Sequence, residues 1–267
     1  MRKAIRNFLN RFGYDIVKLY STGSEKFKIN TPQKGLDLYD TPTGKYYLPN
    51  FLQRDLVSNT IKRGLVYDDE IVELIRKNMP ADSSFLDMGA NYGQMSVLIS
   101  KHIKSIGKGR VYSFEAEPFV GEILQKNAEI NDCANMNIVH GALHNKTGEK
   151  LIFPEPDFKR FDSYGSYGID PKAVTGRTVE TITVDSMNIS DTIGFIKVDI
   201  QGSDLFALQG AKETIMKSRP VIVFEFEEQL QKEFKTSFND YVEFVRSIDY
   251  KFVEVISGLN YVVVPNN

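Results

Sequence analysis

Past Tyr67 the chain alternates between two hydrophobic periods. Short apolar runs of strand character stand at 85–86, 110–115 (RVYSFE), 136–140 (MNIVH), 150–153, 177–184, 195–200 (FIKVDI) and 221–226 (VIVFEF). Between them, apolar residues recur at helical spacing. The sets are Ile71, Leu74, Ile75 and Met79, then Met95, Leu98, Ile99 and His102, then Phe119, Ile123, Leu124 and Ile130. A single helix is predicted over 205–217, and a last one carries Tyr241, Phe244, Val245 and Ile248. Asp68 or Asp69 caps the first of these, Pro80 ends it, Gly107 and Gly109 stop the second, and Pro118 opens the third. Residues 252–256 and 261–264 flank a Ser-Gly-Leu-Asn turn and predict an antiparallel pair at a sheet edge. Strands alternating with helices predict an α/β fold with a mostly parallel sheet covered on both faces.

Two stretches break this pattern. Residues 1–65 read as an N-terminal extension, and 66–267 as the main domain. In the extension, Ile5, Phe8, Leu9 and Phe12 form one apolar helical face among Arg2, Lys3, Arg6 and Arg11. Such a helix docks on its own domain or on a partner subunit, or rests through residues 1–20 on an anionic membrane surface. Residues 21–64 carry Thr-Pro, Gly and Tyr clusters and read as loops and short extended pieces without chemistry of their own. Residues 154–175 (with SYGSYGIDP) form a long loop, and a loop of that length inside a compact domain is usually functional or disordered.

Composition narrows the class. Of 267 residues, 42% are hydrophobic and 25% charged, enough for a real core. The formal charge of −2 argues against a broad nucleic-acid footprint. Cys133 is the one cysteine, so neither a disulfide framework nor a zinc cluster is expected. That usage suits a reducing cytoplasm. No apolar run reaches membrane-spanning length, and the N-terminus lacks the h-region and cleavage site of a secretory signal. A cytoplasmic protein is expected, at the inner face of the membrane if the N-terminal helix binds there. A homo-oligomer remains open.

In sheets of this kind, ligands bind beyond the carboxyl ends of the strands. The polar residues there are Asp87, Glu115, His140, Asp199 and Glu225. After Asp87 comes a turn, Gly89-Ala90-Asn91-Tyr92-Gly93, opening a helix. This predicts bare backbone N–H groups at a helix N-terminus, with glycines letting a ligand approach closely. Glu115 lies about twenty residues on, where an acid can take both hydroxyls of a ribose. A dinucleotide site wants a third glycine, and a P-loop wants Lys followed by Ser or Thr; neither is present. Asp87 would repel a pyrophosphate and suits an ammonium. S-adenosylmethionine has an ammonium and a carboxylate at one end and a ribose at the other. The alternatives kept open are an NAD-type oxidoreductase and a cofactor-binding, non-catalytic member of the fold.

The run from Asp87 through Gly93, FEAEP at 114–118, NAEIN at 127–131, IKVDIQGSD at 196–204 and PVIVFE at 220–225 together resemble the FkbM family of S-adenosylmethionine-dependent methyltransferases. The resemblance covers roughly residues 67–264. It implies the Rossmann-like class I methyltransferase sheet with an antiparallel C-terminal edge strand. It implies methylation of hydroxyls on sugars, glycans or polyketide products. It implies cofactor contacts at Asp87, Gly89, Asn91, Gly93 and Glu115, with Ala142 near the adenine, and no metal. One departure stands out. The family usually carries an acidic residue where Gln201 stands, and a glutamate where Asp204 stands.

Methyl transfer needs a positioned nucleophile and a base for its proton. Asp199 is the first candidate and Glu225, on the adjacent strand end, the second. His140 and His144 read as structural. Lys197 lies in an inward-facing strand, with Glu225 as a candidate partner. Tyr164, Ser166 and Tyr167 are the candidate acceptor-binding residues, since aromatic faces with hydroxyls suit a sugar ring. The expected acceptor is a small molecule or glycan, not a nucleic acid, for which no basic patch and no Asn/Asp-Pro-Pro-aromatic run is seen.

Overall fold

A computed structural model describes residues 27–29, 35–159 and 162–266. The basic amphipathic helix expected near the N-terminus lies outside the described residues. The strands that build the main sheet are β4 (Ser84–Met88), β5 (Val111–Glu115), β6 (Met136–His140), β10 (Ile193–Val198), β11 (Val221–Glu225), β12 (Tyr250–Ile256) and β13 (Asn260–Pro265). Their order is β12-β13-β11-β10-β4-β5-β6. Neighbours run parallel from β11 to β6, and β13 is antiparallel to both its neighbours. This is the expected Rossmann-like, class I methyltransferase sheet with its antiparallel C-terminal edge pair.

The central strands are apolar on both faces because helices cover both. Every residue of β4 and β10 is buried. Leu86, Ile196, Phe224 and Tyr241 pack on one side, Phe85, Phe195, Ile75 and Ile99 on the other. Fully burying a side chain of this size contributes about 1.5–3 kcal/mol. Helices α2 (Asp69–Asn78), α3 (Gln94–Ile106) and α4 (Pro118–Ile130) follow the predicted spacing, with Ile71, Ile75, Leu98, Ile99, Ile123 and Leu124 buried. The single helix expected over 205–217 is two, α5 (Asp204–Gln209) and α6 (Lys212–Ser218). Gly210 sits at the break, where a Cβ would lie 2.1 Å from His144 O. That contact with another loop carries no signature in the helical period. Residues 150–153 and 177–182 form β8 and β9 of a small separate sheet with β7 (Ala142–Leu143).

The stretch before residue 65 is more regular than expected. Strands β2 (Leu36–Thr41) and β3 (Gly44–Pro49) form a hairpin, followed by α1 (Leu56–Lys62). Leu36, Tyr39, Tyr46, Leu48 and Ile61 share one apolar cluster with Tyr92, Val97, Val120 and Ile123. The NAEIN run explains the docking. Asn127 Oδ1 accepts from Tyr47 N (2.6 Å) and its Nδ2 donates to Tyr47 O (3.2 Å). Asn131, one helical turn on, does the same for Lys45 N (3.1 Å) and O (2.6 Å). Alternate residues of a strand point their backbone groups the same way, so two side-chain amides at i and i+4 satisfy them as a neighbouring strand would.

Candidate active site

The crevice opens where the strand order reverses, between β4 and β10. A cavity of about 450 Å³ lies there, within the range of small-molecule sites. All eleven predicted site residues line it: Asp87, Gly89, Asn91, Gly93, Glu115, Ala142, Tyr164, Ser166, Tyr167, Asp199 and Glu225. His140 and His144 do not line it.

The N–H groups of the turn after β4 itself, residues 89–93, are not bare. Gly89 N and Ala90 N donate to Phe114 O (3.1 and 2.9 Å), and Gly93 N to Ala90 O (2.9 Å). Asn91 N donates to Glu115 Oε2 (3.0 Å) and Tyr92 N to Asn91 Oδ1 (2.8 Å). The five N–H groups of the turn are therefore spent inside the protein. The glycines are also required by the protein's own packing. A Cβ on Gly89 would stand 2.0 Å from Asp199 O, and one on Gly93 2.4 Å from Leu124 Cδ1; both have positive φ.

Glu115 holds both the turn and the next helix. Its Oε1 accepts from Glu117 N (2.9 Å) while Oε2 takes Asn91 N. Burial pushes this carboxyl up to about 7, opposed by those backbone hydrogen bonds.

Asp87 is fully buried on β4. Its Oδ2 accepts from Ser96 Oγ (2.5 Å), which is 2.8 Å from Ser113 Oγ. Its Oδ1 has no hydrogen-bond partner among the described residues. Burial raises its pKa, opposed by Lys197. Lys197 Nζ lies 3.7 Å from Asp87 Oδ1 and 3.5 Å from Asp199 Oδ2, and donates to Gly89 O (2.9 Å). Its ion-pair partners are thus these two aspartates rather than the expected Glu225, because Lys197 is the register partner of Asp87.

Asp199 and Glu225 end adjacent parallel strands. Glu225 Oε2 is buried and unpartnered among the described residues. Burial, then the charges of Asp199, Asp204 and Glu227, raise its pKa well above the usual carboxylate range. Gln201 Nε2 donates to Asp199 Oδ1 (3.1 Å), so the amide that replaces the usual acid orients Asp199. Asp204 accepts from Ile200 N (3.3 Å) and Gly202 N (3.0 Å), and burial lifts it to about 7. It shapes the loop after β10. No group of three or more His, Cys, Asp or Glu placed to hold a metal occurs among the described residues.

A roof closes over this floor. Tyr164–Ser166 is a short 3-10 turn. Tyr164 packs on Phe119 and Phe158 (ring centroids 5.4 and 4.9 Å), and burial pushes its phenol up to about 12. Tyr167 Oη donates to Asp157 O (2.6 Å). Gly165 and Gly168 lie close against Asn91 and Gln201, so the loop touches both ends of the cavity. Asp162 Oδ2 accepts from Gln53 N (2.9 Å) and Arg54 N (2.8 Å), tying the loop to the stretch before α1. Arg54, Leu56 and Val57 thereby join the lining. Sequence reasoning missed these three, along with Ser203 and Glu227. Asp55 was the available signal: an acid opening an apolar helix, it caps Ser58 N (2.7 Å) and accepts from Tyr92 Oη (2.9 Å).

The family model for the methyltransferase FkbM domain matches residues 87–252. Among solved structures, a methyltransferase FkbM from Methylobacillus flagellatus KT is similar at 19% identity and a TM-score of 0.47. That likeness covers 68% of this chain and 43% of that one, so the chain spans less than half of that relative's length. TYW2 from M. jannaschii, in complex with AdoMet, is 13% identical with a TM-score of 0.46, covering 89% and 87%. A putative methyltransferase from Streptococcus mutans, in complex with SAH, is 10% identical with a TM-score of 0.42, covering 73% and 94%. No curated protein matches.

Proposed function

The chain belongs to the FkbM family of methyltransferases, and from that premise we propose that it methylates a hydroxyl of a sugar, glycan or glycan precursor. The cofactor is S-adenosylmethionine, which supplies an electrophilic methyl on a cationic sulfur. The residues fit it. Asp87, Asp199, Glu225 and Glu227 all line the cavity, a floor that favours a cation and opposes the pyrophosphate of NAD. Asp87 Oδ1, buried without a hydrogen-bond donor, suits the ammonium. Glu115, at the far side of the turn in the same lining, suits the ribose. Gly89, Asn91 and Gly93 shape the turn between them, and Ala142 supplies an apolar wall for the base.

The observation that carries the acceptor reading is the pair at the other end. Asp199 accepts the hydroxyl proton, with Lys197 as its counter-charge. Glu225, whose burial favours the neutral carboxyl, faces an oxygen of the acceptor. Tyr164, Ser166 and Tyr167 cover the acceptor ring and exclude water. A neutral hydroxyl binds such a floor at no cost in like-charge repulsion, unlike a carboxylate or phosphate. The acceptor is thus a small molecule or glycan rather than a nucleic acid.

The test is turnover with S-adenosylmethionine over a panel of neutral glycosides, amines and sugar phosphates, with the product read by NMR. An O-methyl ether formed on a neutral glycoside is expected. Methylation of amines alone, or no transfer to any hydroxyl, overturns the acceptor assignment.

A further inference from the structure

Lys197 is a charged residue, the fifth of six, in a strand whose residues are all buried. Burying an ammonium costs several kcal/mol unless it is paired and hydrogen-bonded. Here the charge is met from several elements: Asp87 on β4, Asp199 at the end of β10, Asp68 before α2 and Glu225 on β11. Burial by itself favours the neutral amine, but these carboxylates outweigh it, and the pKa is raised.

The contacts are unequal. One donor goes to Gly89 O at 2.9 Å. The two carboxylates stand at 3.5 and 3.7 Å, beyond good hydrogen-bond distance. The ammonium is therefore anchored on the backbone and reaches both acids electrostatically. Gly89, the anchor, is also the residue that touches the backbone of Asp199. One side chain thus fixes the turn and faces an acid from each end of the cavity.

We propose that Lys197 is a positioning residue: anchored on Gly89 O, it bridges Asp87 and Asp199 and holds the Asp199 carboxylate in place at the acceptor end. The inference rests on the reading of Asp199 as the base. A plain stabilising role predicts something different. Removing Lys197 would then lower stability and cofactor affinity but leave the acid limb of the kcat profile where it was.

The experiment uses Lys197→Gln, Lys197→Arg, Asp199→Asn and the charge-balanced double variant Lys197→Gln/Asp199→Asn. For Lys197→Gln, kcat is expected to fall about 100-fold with S-adenosylhomocysteine affinity within about threefold. Its acid limb should move to higher pH, while Lys197→Arg keeps the limb near its wild-type place. Residues acting as a unit are non-additive, so the double variant should be no slower than Asp199→Asn alone. An unmoved limb, or a further tenfold drop in the double variant, overturns the proposal. Should Lys197→Gln fail to fold, the double variant, which keeps the net charge of the Asp87–Lys197–Asp199 trio, decides by the same comparison. Crystal structures with S-adenosylhomocysteine give an arm independent of turnover. Asp199 is expected to leave its rotamer in Lys197→Gln, and an unchanged rotamer counts against positioning. Absence of transfer by the wild-type protein would instead strike at the acceptor reading, leaving this structural arm to judge Lys197.

Discussion

The two ends of the cavity are built differently. At the Glu115 end the turn is closed on itself: each N–H from Gly89 to Gly93 has an acceptor, and both Glu115 oxygens are held by backbone. At the Asp199 end, Ser203 Oγ and Glu225 Oε2 are buried with no hydrogen-bond partner among the described residues. A buried polar atom left unpaired costs about 1–3 kcal/mol. The first end is a finished mould. The second is held in a costly state that a ligand relieves, which is where chemistry is expected rather than mere retention.

The comparison breaks most visibly at Asp199. Asp199→Asn is expected to lower kcat by about 100- to 10,000-fold, with S-adenosylhomocysteine affinity nearly unchanged by isothermal titration. An equal loss in both would merge the two ends. Glu115→Ala should show the reverse: affinity weaker by about 2–3 kcal/mol, read by titration, with kcat at saturation much less affected. Tyr167→Ala sharpens the acceptor side alone and should raise the acceptor KM about fivefold through about 1 kcal/mol of lost contact. An unchanged KM would remove the loop from acceptor binding.

A last effect is with pH. Glu115 and Asp204 are each pushed by burial from 4.5 and 3.8 to about 7. The folded state then binds protons that the unfolded state has released. The stability these groups contribute is therefore present at low pH and lost as pH rises through about 7. Urea melts should show the slope, at most about 1.4 kcal/mol per pH unit for each group. Ribose hydroxyls donate to the ionised form of Glu115, so S-adenosylhomocysteine affinity should rise over the same interval. An affinity independent of pH between 6 and 8 would detach Glu115 from the ribose.

Much of this was written in one dimension. The strand and helix periods, the Gly89–Gly93 turn and the acid twenty residues on are local patterns, and parallel α/β connectivity brings strand ends together by rule. That is why Asp87, Glu115, Asp199 and Glu225 could be named from sequence and are found around one cavity. Contacts between distant segments were not legible. The glycines look like ligand-facing residues in sequence but are required by Asp199 O and Leu124. Arg54 reaches the lining because Asp162 holds its backbone, a link across 108 residues. The break at Gly210 answers to His144 O. Lys197 found Asp87 through strand register, and register exists only once the sheet has formed. Periodicity thus determined the elements and the order of their chemistry. The tertiary structure decided which polar atoms are satisfied and which remain open, because that depends on through-space packing that no local spacing encodes.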